Sequence, residues 1–180
     1  GIAGIIGGVG LGTAMITFIW SITNTSAAIT LLCLSAMPFI TALLGFLFLK
    51  EKIRPSVWVA IFVASIGVAI MAFDSVSIGS INGLIYGLAS ALGFSIFSVS
   101  LRWKKETPKF TTVAVAGLFC CLFSIAILIQ KDLNFLSSSK NQGLFALHGT
   151  LVCLGLILYS IGSKNLPAAE LTLLSLTEVI

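Results

Sequence analysis

Charged side chains are scarce in this sequence. Asp, Glu, Lys and Arg make up 9% of its 180 residues, while hydrophobic residues make up 58% and the mean hydropathy is +1.14. A water-soluble domain uses about 25% charged residues to cover its surface. The scarcity of charge therefore excludes a soluble domain of this size and predicts a membrane protein.

Residues that carry catalysis or bind metals are also few. The chain has one His and four Cys, and their spacing matches no metal site. A rhomboid-type serine protease would need a Gly-x-Ser-Gly-like motif; Ser95 follows Gly93 and Phe94, but Ile96 stands where the second Gly is needed. We therefore expect no enzyme activity, no metal and no cofactor.

What the chain has in abundance is long apolar runs. Their residues do not alternate between apolar and polar, which favours helices over the strands of a membrane barrel. A helix needs roughly 20 mostly apolar residues to cross a bilayer. The predicted spans are Ile2–Ile22, Ala27–Leu49, Val57–Phe73, Ile81–Leu101, Thr111–Ile129, Leu144–Ile161 and a last one from Pro167 onward. The fold class expected is an all-α polytopic helical bundle.

Basic residues set the expected orientation, because cytoplasmic loops collect Lys and Arg. They are concentrated in alternate loops: Lys50, Lys52 and Arg54, then Arg102, Lys104, Lys105 and Lys109, then Lys164. The first span should therefore run from the cytoplasm outward. This bias explains the net charge of +4, so no nucleic-acid partner is expected.

The second and third spans carry a specific pattern. Ser26 precedes a helix with Pro38 in its middle, the loop contains Lys50-Glu51, and Trp58 follows in the next span. This pattern resembles the EamA domain of the drug/metabolite transporter superfamily. Lys50 and Ala60 stand where the family often has Gly. The resemblance implies a multi-pass secondary transporter, and a bacterial inner membrane is its expected location.

A weaker internal match suggests a repeat. Asn165-Leu166-Pro167-Ala168-Ala169 is similar to Asn24-Thr25-Ser26-Ala27-Ala28. The two copies are five spans apart and so must have opposite orientations. The resemblance then implies that the chain is a fragment of a ten-span inverted-repeat transporter. Residues 1–73 would end the first repeat (spans 3 to 5), and residues 81–180 would begin the second (spans 6 to 9, the last truncated).

Glu178 is the one charged residue expected deep inside a span. It lies about 11 residues after Pro167, or about 17 Å along a helix and near the middle of the bilayer. Burial disfavours its charged form, so the group would be paired or neutral at rest. It could exchange protons, meet a cationic substrate, or serve as a hydrogen-bonded packing group.

Other polar residues are candidates for substrate binding. Thr13, Thr17, Trp20 and Asn24 are spaced to share one helical face. That face could line a cavity; alternatively, the threonines could bond neighbouring helices while Trp20 and Asn24 lie at the membrane interface. Tyr86 and Tyr159 are further candidates, because a ring with one hydroxyl suits an amphipathic solute.

Small residues recur at four-residue intervals, as Gly4, Gly8 and Gly12 and as Gly83, Gly87, Ala91 and Ser95. Such stripes allow helices to approach closely.

Together these features predict a secondary active transporter that exports small metabolites or drugs by alternating access. Its partners would be a small-molecule substrate and the lipid bilayer, and a homodimer is left open. The alternatives are a non-transporting scaffold or channel component and, less favoured, an intramembrane enzyme.

Overall fold

A computed structural model describes residues 1–50, 81–103, 109–130, 139–164 and 166–175, with a few positions between 55 and 70. Most of the predicted span Val57–Phe73, the loop residue Glu51 and the end of the chain from 176, including Glu178, lie outside the described residues. The helices are α1 (Ile2–Asn24), α2 (Ala27–Leu34), α3 (Met37–Leu49), α4 (Ile81–Trp103), α5 (Lys109–Gln130), α6 (Ser139–Gly162) and α7 (Ala168–Ser175).

Among the described residues, five helical stretches are long and apolar enough to cross a membrane: Ile2–Asn24, Ala27–Leu49, Ile81–Trp103, Phe110–Gln130 and Asn141–Gly162. The prediction of an all-α, multi-pass membrane protein is confirmed. The largest difference in boundaries is at α6, which begins at Ser139, five residues before the predicted Leu144. A helix can continue past the hydrocarbon layer into water, so the apolar run marks only its membrane part.

The second predicted span is one membrane crossing but two helices. Pro38 lacks the N–H that would bond the carbonyl of Leu34, so the regular helical ladder is interrupted there. Tighter bonds fill the gap: the Ser35 N–H contacts the Leu32 carbonyl at 2.9 Å, and the Ala36 N–H contacts the Cys33 carbonyl at 3.1 Å. Pro38 then lies in the first turn of α3, where a missing N–H costs little.

Helices α1 and α4 form the closest contact of the bundle. A Cβ atom on Gly93 would lie 2.6 Å from the carbonyl oxygen of Gly10, and one on Gly10 would lie 2.9 Å from the carbonyl oxygen of Gly93. Their backbones therefore touch at a point that has no space for a side chain. Gly8 and Gly12 face side chains of α5 instead: a Cβ on Gly8 would lie 2.5 Å from Val115 Cγ1, and one on Gly12 would lie 2.6 Å from Phe119 Cδ1.

Buried hydroxyl groups add specific bonds across these helices. Ser21 Oγ of α1 donates to the Gly83 carbonyl of α4 at 2.8 Å, and it is 2.8 Å from Thr30 Oγ1 of α2. Ser95 Oγ of α4 is 3.2 Å from the Met37 carbonyl of α3. Because these side chains are buried from solvent, each bond gives a buried polar atom a hydrogen-bond partner within the protein. We call the contact between helix α1 and helix α4 the packed seam.

The cytoplasmic ends expected of α4 and α7 are joined through Arg102. Its guanidinium donates to the carbonyl oxygen of Leu166 in the turn between α6 and α7, and lies 3.5 Å from the carbonyl of Ser163. This contact ties the last turn of α4 to the start of α7 and so fixes one end of the space between them.

Candidate functional site

Six helices surround a cavity of about 490 Å³, which we call the central cavity. Its described lining is Leu11, Ala14, Met15, Phe18, Leu31, Leu34, Met37, Ser90, Phe94, Val152, Leu156 and Ser175. The lining comes from α1, α2, α3, α4, α6 and α7, so every described helix except α5 contributes. Ligand pockets typically measure about 300 to 1,000 Å³ and are mostly apolar with a few polar groups. The central cavity has these properties.

The two hydroxyl groups of this lining are held by backbone carbonyls. Ser90 Oγ donates to the Ala14 carbonyl of α1 at 2.8 Å, and Ser175 Oγ donates to the Thr172 carbonyl of its own helix at 2.7 Å. The first bond crosses the packed seam and fixes the position of Ser90. The second bond engages the Ser175 hydroxyl hydrogen with a carbonyl of its own helix, so the oxygen can still accept a hydrogen bond.

A second, larger space lies between α1, α5 and α6, and we call it the outer groove. Its volume is about 960 Å³, and its lining includes Met15, Trp20, Phe123, Gln142 and Phe145. Among the described residues three helices form it, and α5 and α6 are the least buried of the five described spans. Met15 belongs to the lining of both spaces, so the central cavity and the outer groove share one wall.

The structure brings together two of the predicted site residues. The rings of Trp20 and Tyr86 meet edge to face with centroids 5.4 Å apart, and Phe123 packs on the other side of Trp20 at 5.6 Å. Trp20 lines the outer groove. This aromatic cluster therefore joins α1, α4 and α5 at one end of the bundle.

Two other predicted residues, Thr17 and Asn24, use their side-chain polar groups within α1. Thr17 is buried and its hydroxyl donates to the Thr13 carbonyl at 2.8 Å. Asn24 is exposed and its Nδ2 donates to the Trp20 carbonyl at 2.8 Å. Thr13, Thr17 and Asn24 are not among the described lining residues of either space.

Tyr159 lies behind the wall of the central cavity. Its hydroxyl is 2.7 Å from Ser98 Oγ, and its ring contacts Phe94 at 5.3 Å and Phe97 at 5.8 Å between centroids. Phe94 lines the cavity, so Tyr159 supports a lining residue. Glu178, the seventh candidate, lies outside the described residues, three positions after Ser175.

Sequence reasoning did not single out Ser90, Ser175 or Met15. A signal was nevertheless present in the internal match, which pairs Asn24 with Asn165 and so relates residues 141 positions apart. In this register α2 and α7 begin at equivalent residues, Ala27 and Ala168. The same register relates three pairs of cavity residues: Leu11 with Val152, Met15 with Leu156, and Leu34 with Ser175.

Among the described residues, no group of three or more His, Cys, Asp or Glu side chains could hold a metal ion.

Residues 1–73 match the EamA-like transporter family. This match confirms the resemblance expected from the pattern around Ser26, Pro38 and Trp58. The chain is also similar to several bacterial proteins named as transporters, which agrees with its multi-pass helical fold. These similarities and the membrane-length helices together indicate a bacterial cell membrane as its location.

The relatives themselves are named as uncharacterized transporters. The chain is 24% identical to YwfM and 29% identical to YojE, both of Bacillus subtilis, over 89% and 87% of its own length. It is 31% identical to a Vibrio cholerae protein over 82% of its length. The matches cover 56%, 52% and 46% of these relatives, so the chain spans about half the length of the curated proteins it matches. No solved structure matches it significantly.

Proposed function

We propose that this EamA-type protein is a secondary active transporter that exports small metabolites or drugs by alternating access, and that the central cavity is its substrate site. The observation that carries the proposal is the lining of that cavity. Residues of α1 and α6, and of α2 and α7, that the proposed repeat register would pair lie in the lining of the same space. Many secondary transporters bind substrate at such an interface between inverted repeats, near the bilayer midplane.

The same pairing supports the proposed division of the chain. Residues 1–73 would end one five-span repeat and residues 81–180 would begin the other, within a ten-span protein. In the repeat register the first residues of α2 and α7, Ala27 and Ala168, are paired. Inverted repeats separated by an odd number of spans would make α2 and α7 equivalent helices with opposite orientations in the membrane.

Alternating access needs one part of the bundle to stay rigid while another moves. The packed seam of α1 and α4 suits the rigid part, because backbone contact at Gly10 and Gly93 leaves no room for rearrangement. Helix α6 is proposed as the moving part, because it lines the cavity and lies outside the packed seam. Val152 and Leu156 on α6 would then open and close one side of the cavity.

Blocking the cavity tests the proposal. Val152 lines the cavity on α6, whereas its neighbour Leu151 is 59% exposed and points away from the bundle. We expect Val152→Trp to abolish export, at least a tenfold loss, because the indole fills the space. Leu151→Trp, with the same indole one residue away, should keep export near the wild-type level.

The measurement compares bacteria that produce the full-length natural protein or either variant at equal membrane levels. Metabolites that accumulate in the medium only with active protein identify the exported solute. Its uptake is then measured in inside-out vesicles. Loss of export in both variants, or in neither, contradicts the assignment of the cavity. Flux that rises without saturation would indicate a channel instead.

Glu178 is proposed as the proton-coupling residue. Its position in the sequence, three residues after the cavity-lining Ser175, supports the proposal. We expect Glu178→Gln to remove the pH dependence of vesicle uptake, while Glu170→Gln, in the first turn of the same helix, leaves it intact. Unchanged proton-coupled flux in Glu178→Gln would contradict the role.

A further inference from the structure

The polar chemistry of the central cavity points to a particular class of ligand. Its described lining contains no Lys, Arg, His, Asp or Glu. Moving an ion from water into an apolar site without a partner of opposite charge is strongly unfavourable. The described walls therefore disfavour a carboxylate or phosphate as the group that lies against them.

The two lining hydroxyls narrow the class further. A serine hydroxyl has one hydrogen to donate and two lone pairs that accept. Ser90 donates its hydrogen to the Ala14 carbonyl, and Ser175 donates its hydrogen to the Thr172 carbonyl. To donate to a ligand, either serine would first have to give up its bond to that carbonyl. In this arrangement the polar side chains of the lining accept hydrogen bonds.

The rest of the surface is apolar and adaptable. Phe18 and Phe94 supply aromatic rings, and Met15 and Met37 supply flexible thioethers that fit irregular shapes. Such walls bind an apolar or aromatic body by shape and dispersion. The polar end of the same molecule must then donate a hydrogen bond to the oxygen of Ser90 or Ser175.

We propose that the central cavity selects uncharged, mainly apolar solutes that donate a hydrogen bond, such as alcohols and primary amides, over carboxylates and over molecules that only accept. The oxygens of Ser90 on α4 and Ser175 on α7 would accept the hydrogen bond that the solute donates. This inference rests on the proposed function for the location of the site, and it adds the chemistry of the substrate.

Three probes with one aromatic body test the selection: 2-naphthalenemethanol, its methyl ether and 2-naphthoate. Binding is measured by equilibrium dialysis with the full-length protein in lipid nanodiscs, and empty nanodiscs of the same lipid correct for partition into the bilayer. We expect saturable binding of the alcohol, with a Kd at least tenfold lower than that of the ether or the carboxylate.

Removing one acceptor sharpens the test. Ser175→Ala should weaken binding of the alcohol about three- to tenfold and leave the ether unchanged, since only the alcohol donates. Ser160→Ala is the matched control, because that hydroxyl bonds the Leu156 carbonyl at 2.7 Å on α6 and is not among the described lining residues. It should change neither affinity. Ser90→Ala serves as a second acceptor variant if Ser175→Ala fails to fold.

The outcomes separate this inference from the proposed function. Tighter binding of the carboxylate, equal binding of alcohol and ether, or no saturable binding of the alcohol would overturn the selection. Val152→Trp decides the location independently: if it abolishes binding of whichever probe the protein prefers, the cavity remains the site even when the chemistry is wrong. If Val152→Trp leaves the binding of every probe unchanged, the central cavity is not the binding site.

Discussion

The packed seam and the pair α5–α6 are built from equally apolar sequence but pack in opposite ways. In the most apolar stretches of α1 and α4, 44% and 56% of the residues are buried, against 11% in α5 and 6% in α6. Mean hydropathy does not explain the contrast, since α5 is the most apolar of the four at 2.6. Within lipid, apolar side chains gain little by leaving the bilayer for a neighbouring helix.

What distinguishes the seam is close approach and specific bonds. Gly10 and Gly93 let two backbones touch, and Ser21 and Ser90 bond carbonyls of the facing helix. Helix α5 meets α1 through Val115 and Phe119, but the space beside its own Gly117 is open, with no atom within 4 Å of a Cβ placed there. Within the described residues, close packing therefore coincides with small residues and buried hydroxyls, and mean hydropathy does not predict it.

Removing a large aromatic ring should show the difference between the packed seam and the pair α5–α6 most strongly. Phe97 on α4 is fully buried, and Phe110 on α5 is 61% exposed. We expect Phe97→Ala to lower the free energy of unfolding by about 3 kcal/mol, because a cavity remains where contacts were lost. Phe110→Ala should change it by less than about 0.5 kcal/mol. Thermal unfolding of the purified protein, followed by size-exclusion chromatography, measures both; equal losses would contradict the contrast.

Adding one methyl group should distinguish a packed glycine from an open one. Gly93→Ala puts a Cβ against the Gly10 carbonyl and should destabilise the protein by about 2 kcal/mol. Gly117→Ala adds the same methyl group to an open face and should be neutral or stabilise by up to about 1 kcal/mol, because Ala favours helix. The same thermal assay applies. A stable Gly93→Ala protein would show that the seam can separate.

Deleting a single hydroxyl should have the smallest effect of the three. Ser21→Ala removes the bond to the Gly83 carbonyl and the partner of Thr30, for a loss of about 1 to 2 kcal/mol. Thr150→Ala on α6 removes only a bond to the Ala146 carbonyl of its own exposed helix and should be within about 0.5 kcal/mol of zero. If the two substitutions cost the same, buried hydroxyls do not define the seam.

Much of the fold was predictable because each signal was local. Apolar runs placed the spans to within a few residues, and Pro38 marked the interruption of the second span. The functional site was less accessible. Thr17 and Asn24 looked like lining residues by spacing, yet their polar groups bond their own helix. Ser90 and Ser175 carry no local motif, and only the convergence of six helices brings them to one cavity.

Sequence by itself determined that this chain crosses a membrane several times and resembles the EamA-type transporters, because hydropathy, length and basic loops act on each segment separately. Tertiary structure decided which glycines are packed and which are open. Gly93 and Gly155 both sit within apolar helices, but Gly93 faces a backbone carbonyl and Gly155 has no atom within 4 Å of a Cβ placed there. The difference lies in the partner helix, and no single segment contains that information.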